Sequence, residues 1–249
     1  MSTAPGQLQP LASEAARLGL HLDDTAVERF QKYLSLLTEW RERAGLTSIA
    51  DPVEVQRRHF GESLALLAAL RGAGVLPLGI RAKIADIGTG GGFPGLPMRI
   101  AEPDLRLTLI EAQARRCRFL EATVDALGLP DVLVVQARAE EAGRAPDLRA
   151  SFDVVVARAV ASLPVLVEYA LPLLREGGVL ATPKGSRAEE EQRAAAPAIS
   201  ALSGDLAASV PLDLPPGVPR QQVVLVRRVA PLDGRYPRRP GMPAKRPLR

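Results

Sequence analysis

Apolar positions recur at helical spacing over residues 23–43, where Val27, Phe30, Leu34, Leu37 and Trp40 would share one face. Asp23 and Asp24 can cap its start. The stretch "TSIADP" breaks the pattern. Asp51 can then cap a second helix with Pro52 in its first turn, running through Leu64, Leu67 and Leu70. "RGAGVLPLG" follows as a Gly/Pro connector. Residues 1–80 therefore read as a helical region.

From Arg81 the pattern changes to short apolar runs alternating with amphipathic stretches. "KIADIG", "LRLTLIE", "DVLVVQ", "FDVVVAR", "VLATPKG" and "QQVVLVRRV" read as strands. "LPMRIAEP", "AQARRCRFLEATVDALGL", "ARAEEAG", "VASLPVLVEYALPLLREGG" and "SRAEEEQRAAAPAISAL" read as helices between them. The unbroken apolar run in "FDVVVAR" suits a strand buried on both faces. This alternation predicts a doubly wound α/β domain over 81–230 with a mainly parallel sheet. Residues 231–249, rich in Pro and Arg, show no periodicity and read as an extended, weakly ordered tail.

Composition sharpens this in two places. The single cysteine, Cys117, rules out an internal disulfide and a multi-cysteine zinc site. Only His21 could join His59 around a metal, so no metal is expected. The start "MSTAPGQLQP" is polar, and no apolar run reaches membrane-spanning length. A cytoplasmic protein without a membrane association is expected, acting as a monomer. Charge is uneven: residues 227–249 carry +7, whereas the other 226 residues carry −3. A basic end on a mildly acidic body suits a polyanion partner, or equally a solvated tail that aids solubility.

The chemistry concentrates in "ADIGTGGGFPG", residues 85–95, between the first strand and a helix. Ligands bind there in such sheets, off the carboxyl ends of the strands. Two ligands fit. Gly90-x-Gly92-x-x-Gly95 satisfies a dinucleotide fingerprint. Asp86 followed by Gly88-x-Gly90-x-Gly92 satisfies the Asp-x-Gly-x-Gly-x-Gly pattern of S-adenosylmethionine enzymes. Glu111, closing the second strand, can accept ribose hydroxyls in either case. Asp86 suits a cationic amino-acid ligand better than a pyrophosphate. Pro94 stands where a dinucleotide would need helix N–H donors. Both points favour S-adenosylmethionine.

Four blocks resemble one family: "GLTSIADPVEVQRRHFGESL", "IADIGTGGGFPGLPMRI", "FDVVVARAVASLPVLVEYALPLLREGGVLATPKG" and "YPRRPGMPAKRPL". Spread over nearly the whole chain, they make it similar to the RsmG family, also called glucose-inhibited division protein B. These are bacterial methyltransferases acting on N7 of a guanosine in 16S ribosomal RNA. The resemblance implies a Rossmann-like class I methyltransferase fold, S-adenosylmethionine as donor, and 16S rRNA or the small ribosomal subunit as partner. The sequence departs from the family at Gly61-Glu62, where an Asp usually precedes the Ser, and at Ala44-Gly45, where an aromatic-Asn pair is common.

By that resemblance, Gly88 and Phe93 contact the donor and Glu111 takes its ribose. Ala139 and Glu140 border the adenine; Asp86, Gly90, Gly92, Ala112 and Gln113 complete the set. Arg158 ends a buried strand at the ligand-facing edge, an odd place for an unpartnered charge. It is the candidate catalytic residue at the methyl-transfer pocket, a structural pair with Asp86 or Glu140 being the alternative. Lys184 ends the next strand and is assigned to RNA phosphate or the guanine edge. Tyr236 with Arg235, Arg238, Arg239, Lys245 and Arg246 supplies the tail's candidate RNA contacts. The arginines at 57, 58, 115, 116 and 118 read as surface charges able to meet phosphates.

Rival chemistries lack their parts. Cys117 sits mid-helix, unsuited to nucleophilic attack on a pyrimidine. "ARAVAS" after the fourth strand contains no Asn/Asp-Pro-Pro-aromatic loop for amine methylation. Guanine N7 already carries a lone pair and needs no base. A nicotinamide-dependent oxidoreductase and a non-catalytic RNA-binding factor are the alternatives.

Overall fold

The computed structural model describes residues 8–215 and 217–248. Residues 1–7, within the polar start, and Arg249, the last tail cation, lie outside them. Four helical segments open the chain: α1 (Gln9–Arg17), α2 (Asp24–Ala44), α3 (Pro52–Val55) and α4 (Glu62–Gly72). As the sequence predicts, the Asp23 side chain accepts from Ala26 N at the start of α2, and Asp51 accepts from Val53 N at α3. α2 ends on Gly45 at φ +61°, a left-handed turn that Gly adopts without a Cβ clash. Between α3 and α4 runs a π-helical turn, Gln56–Gly61. Its wider winding buries Phe60 while leaving neighbouring His59 only partly covered.

The sheet has seven strands: β1 (Lys83–Ile87), β2 (Arg106–Glu111), β3 (Val132–Gln136), β4 (Phe152–Val156), β5 (Leu174–Lys184), β6 (Gly204–Pro211) and β7 (Gln222–Arg228). Their order is β3-β2-β1-β4-β5-β7-β6, with β7 antiparallel to both neighbours. The helices α5 (Gly95–Ala101), α6 (Ala114–Leu127), α7 (Ala139–Ala142), α8 (Leu163–Ala170) and α9 (Ala188–Ala201) connect them, and α10 (Met242–Lys245) lies in the tail. This is the doubly wound α/β sheet that the alternation predicts, with the order reversing between β1 and β4.

Side chains alternate between two cores. Ile84 of β1 with Val154 and Val156 of β4 face one side, where α5, α6 and the N-terminal helices pack. Ala85, Ile87 and Val155 face the other, with α8 and α9. The N-terminal helices thus share a core with the sheet. Phe30, Tyr33 and Phe60 interlock with Phe93 of the Gly loop, ring centroids 5.1–6.1 Å apart.

Several elements differ from the sequence reading. α1 forms within a stretch that shows no strong period. The helix expected over residues 160–178 ends at Ala170: Pro172 cannot donate within a helix, and β5 begins at Leu174. β6 has no β-branched run, yet it pairs along β7 as the sheet edge. The tail is the largest correction. Tyr236 and Pro243 are buried, and Leu232 and Leu248 pack against the second core. Arg149 donates to Tyr236 O at 2.7 Å, and Arg238 is bidentate on Glu168, whose own exposure is 0%. Apolar anchors and a buried ion pair therefore hold a segment whose composition alone suggests weak order.

Candidate active site

β1 ends at Ile87 and the chain turns through Gly88–Pro94 into α5. Asp86, fully buried, holds this turn: its Oδ2 accepts from the Thr89 hydroxyl at 2.7 Å and from Gly95 N at 2.8 Å. Burial pushes its carboxyl up to about 7, against the two hydrogen bonds that favour the charged form. The carboxylate uses an N–H at the start of α5 that a pyrophosphate would need. Glu111 holds the loop from the other side: Oε2 accepts from Gly90 N at 3.0 Å, and Oε1 accepts from Gln113 N at 2.9 Å.

The glycines serve different ends. A Cβ on Gly92 would meet Leu96 at 2.5 Å and the Tyr33 hydroxyl at 2.6 Å, so its bareness serves packing. Gly90, at φ +59°, has nothing nearer than 3.9 Å to such a Cβ. Its open face is the part of the loop that a ligand can approach closely.

Arg158 follows β4 and enters a cluster built by the π-helical turn. Its Nη1 donates to Glu62 Oε2 at 3.2 Å and to Arg58 O at 3.1 Å; its Nη2 donates to His59 Nδ1 at 3.0 Å. The anticipated partners were Asp86 or Glu140; the observed one is Glu62, 96 residues away in sequence. The acid at this departure from the family pattern thus faces the β4 arginine. Because a guanidinium only donates, Nδ1 of His59 must accept, which leaves Nε2–H to donate to Thr47 Oγ1 at 2.7 Å. His59 is thereby fixed as a neutral tautomer, stacked on Phe93 at 4.5 Å. Burial, then the charges of Arg158 and Arg58, lower its pKa to about 3. Burial likewise lowers Arg158, with Glu62 and Asp86 opposing.

Lys184 ends β5 beside this cluster. Its Nζ donates to Ala161 O at 3.0 Å and to Glu191 Oε2 at 2.8 Å. The same Glu191 oxygen accepts from Leu163 N at 2.8 Å, fixing the loop between β4 and α8. Within that loop Val160 closes over Gly88: a Cβ there would lie 2.9 Å from Val160 Cγ2.

These parts line one cavity of about 700 Å³ at the carboxyl ends of β1, β4 and β5. It brings together Gly88, Gly90, Phe93, Arg158 and Lys184 from the sequence-derived set. It adds His59, Glu62 and Glu191, whose roles the sequence reading missed. Only the "RRHFGES" block, within a family-like segment, signalled the first two. Asp86 and Gly92 lie behind the loop. Ala112 and Gln113 are exposed after β2, and Ala139 is partly covered after β3. Glu140 is buried, and its Oε1 accepts from Gly241 N at 2.8 Å, so it fastens the tail. In the tail, Tyr236 is 6% exposed with no open ring face, and Arg238 is committed to Glu168. Arg235, Arg239, Lys245 and Arg246 remain exposed. Arg116 donates to Gly45 O at 2.9 Å, and Cys117 is buried against Glu111 O.

The residues present fit an S-adenosylmethionine molecule. The open face of Gly90 would leave room for its close approach. Glu111 keeps lone pairs beyond the two N–H bonds it accepts, and Ala112 and Gln113 leave the adjoining strand ends accessible. Among the described residues no three His, Cys, Asp or Glu side chains are grouped to hold a metal ion.

Comparison with known proteins gives one consistent result. A family model described as "rRNA small subunit methyltransferase G" matches residues 26–212. The protein named ribosomal RNA small subunit methyltransferase G from Roseiflexus castenholzii is 44% identical over 234 residues, 94% of this chain and 97% of that one. Its namesake from Desulfitobacterium hafniense is 40% identical over 232 residues, 93% of each chain. Among solved structures, a geranyl diphosphate methyltransferase in complex with SAM aligns with TM-score 0.52 at 15% identity, covering 68% of this chain and 85% of that one. MtNAS in complex with MTA and tNA aligns with TM-score 0.54 at 15% identity, covering 79% and 71%. Likeness at that identity speaks to the fold alone. With the match running from α2 into β6 and relatives aligned over nearly their full length, this chain belongs to the rRNA small subunit methyltransferase G family.

Proposed function

We propose that the protein transfers a methyl group from S-adenosylmethionine to N7 of a guanosine in 16S rRNA. One observation supports this acceptor above others: the imidazole and carboxylate groups of the cavity wall are each held against a cation, which disfavours their taking up a proton. His59 is neutral, its Nδ1 occupied by Arg158, and its pKa of about 3 makes it a poor base. Glu62 is paired with Arg58 and Arg158, and Glu191 with Lys184. An amine or hydroxyl acceptor must lose a proton, whereas N7 attacks with a lone pair it already has.

When bound, S-adenosylmethionine supplies an electrophilic methyl on a sulfonium. The chain's residues hold and align the reactants. Gly88, Gly90 and Phe93 cradle the donor, Glu111 accepts from its ribose, and Ala112, Gln113, Ala139 and Glu140 border its adenine. Asp86 acts through the loop it holds. Arg158, fixed by Glu62 and His59, orients the guanine beside the Gly loop. As the N7–carbon bond forms and the sulfur–carbon bond breaks, positive charge moves onto the base. Glu62 and Glu191 temper that charge. Lys184 meets the guanine edge, and Arg235, Arg239, Lys245 and Arg246 meet RNA phosphates.

We place the enzyme in the cytoplasm as a monomer. Among the described residues no helix is long and apolar enough to cross a membrane. The bond from Gly95 N to Asp86 speaks against a dinucleotide. To test the reading, small-subunit RNA and 30S particles from cells lacking the protein are incubated with enzyme and methyl-labelled donor, then digested to nucleosides. Labelled 7-methylguanosine is expected. Another labelled nucleoside would discard N7; no label despite donor binding would favour a non-catalytic RNA-binding factor.

A further inference from the structure

Glu191 has no part in the sequence-derived site, yet it lines the same cavity as Arg158 and Lys184. A carboxylate is a poor neighbour for RNA, a polyanion, unless something on the RNA donates to it. One oxygen, Oε2, is saturated: it accepts from Leu163 N and from Lys184 Nζ, each at 2.8 Å. Those bonds fix the orientation of the carboxylate. The second oxygen, Oε1, takes no hydrogen bond from a described residue, and the side chain keeps 25% of its surface exposed. Lys184 beside it is 10% exposed. An ammonium donor and a carboxylate acceptor therefore stand side by side in the cavity wall.

Guanine presents the matching pattern. Its O6 accepts, and the adjacent N1–H and N2–H₂ donate. Adenine in the same orientation presents a donor at N6 and an acceptor at N1, which this pair would oppose. O6 also adjoins N7 on the ring, so a base held at O6 by Lys184 keeps N7 clear for a partner on the Gly-loop side.

We propose that Glu191 reads the N1–H and N2–H₂ edge of the acceptor guanine while Lys184 holds O6. This makes Glu191 a specificity-determining residue of the cavity. The proposal rests on the methyltransferase reading above and deepens it. It also gives Glu191 a role in rate. Methylation at N7 places positive charge on the base, which makes N1–H and N2–H₂ stronger donors. The bond to a fixed carboxylate strengthens as the reaction proceeds, which is the condition for accelerating it.

The test uses the labelled nucleotide identified above. Small-subunit RNA is assembled by splinted ligation with guanosine or inosine at that position; inosine lacks only the N2 amine. The kcat/KM of wild-type enzyme and of Glu191→Gln is measured on both RNAs, with donor affinity as a check on folding. Wild-type enzyme should prefer guanosine by about tenfold, the usual effect of losing one hydrogen bond to a charged partner. In Glu191→Gln that preference should shrink below about threefold, while the rate on guanosine drops. Equal losses on both RNAs, with the preference intact, would overturn the proposal and leave Glu191 as a brace for Lys184 and the β4–α8 loop. A wild-type preference near one would overturn it without reference to any variant. No transfer to guanosine by wild-type enzyme would overturn the methyltransferase reading, and this proposal with it.

Discussion

Two arginines in this molecule meet buried glutamates from distant parts of the chain, and the pairs serve opposite ends. Arg158 meets Glu62 at 3.2 Å, and Arg238 meets Glu168 at 2.6 Å. Arg238 is bidentate, its carboxylate is fully enclosed, and the guanidinium also donates to Arg246 O. Both oxygens of the Glu168 carboxylate are satisfied within the fold. Arg158 makes only a monodentate contact with Glu62, shares its other nitrogen with a neutral histidine, and opens onto a cavity. A buried charge points to function when its neighbourhood is unfinished. A charge whose carboxylate partner is fully enclosed and satisfied points to architecture.

Breaking the enclosed pair should produce the largest effect. Arg238→Ala strands a carboxylate of 0% exposure, which costs about 3–5 kcal/mol and lowers Tm by roughly 10 °C or more. Thermal denaturation reads this directly. Because the tail also fastens Glu140, deleting residues 231–249 should weaken donor affinity as well as RNA affinity. A deletion that loses RNA binding alone would separate the tail from the donor site.

Opening the unfinished pair should act on rate instead. Arg158→Ala should lower methyl transfer about a hundredfold, close to 2.7 kcal/mol of transition-state stabilisation. Glu62 keeps Arg58 at 3.2 Å, so the loss in Tm should be smaller than for Arg238→Ala.

His59 sharpens the contrast through pH. In the unfolded chain it takes up a proton near 6.5; in the fold it does so near 3. Between those values the unfolded state binds more protons, so His59 makes stability decline as pH falls from 6.5 towards 3. Asp86 acts in the opposite sense. Its folded carboxyl titrates near 7 rather than 3.8, so its contribution is greatest at acid pH and is lost as pH rises through 7. Replacing His59 by Phe keeps the ring on Phe93 and removes the acid-side decline, visible in urea titrations at pH 4.5 and 6.5. It should also slow transfer about tenfold, because Arg158 loses an acceptor. The smallest effect belongs to the exposed tail cations. Arg235→Ala or Lys245→Ala should weaken RNA binding slightly and reduce the salt slope by about 0.7–0.9 per lost phosphate contact.

What the sequence disclosed follows the same division. The strand–helix alternation, the Gly loop and the arginine after β4 are local patterns, and each was legible in its own segment. The partners were not. Glu62 lies 96 residues from Arg158, and Glu168 lies 70 from Arg238. No period links them; only the closed sheet brings them together. The tail read as loose because Pro and Arg have no period, although Tyr236 and Leu232 are buried or partly buried by contacts from elsewhere in the chain. β6 was invisible because an edge strand exposed on most positions carries little apolar signal. Ala44-Gly45 departs from the family pattern, yet Gly meets the left-handed requirement there as Asn does.

The most direct test of the central claim is a paired measurement on Arg158→Ala and Arg238→Ala. The single-turnover methylation rate at saturating donor and RNA is recorded for each below its own Tm, alongside thermal denaturation. Arg158→Ala should lose about a hundredfold in rate with a modest change in Tm, and Arg238→Ala should lose Tm with its rate within about threefold of wild type. The reverse pattern, or a full rate in Arg158→Ala, would contradict the assignment of the open pair to the reaction.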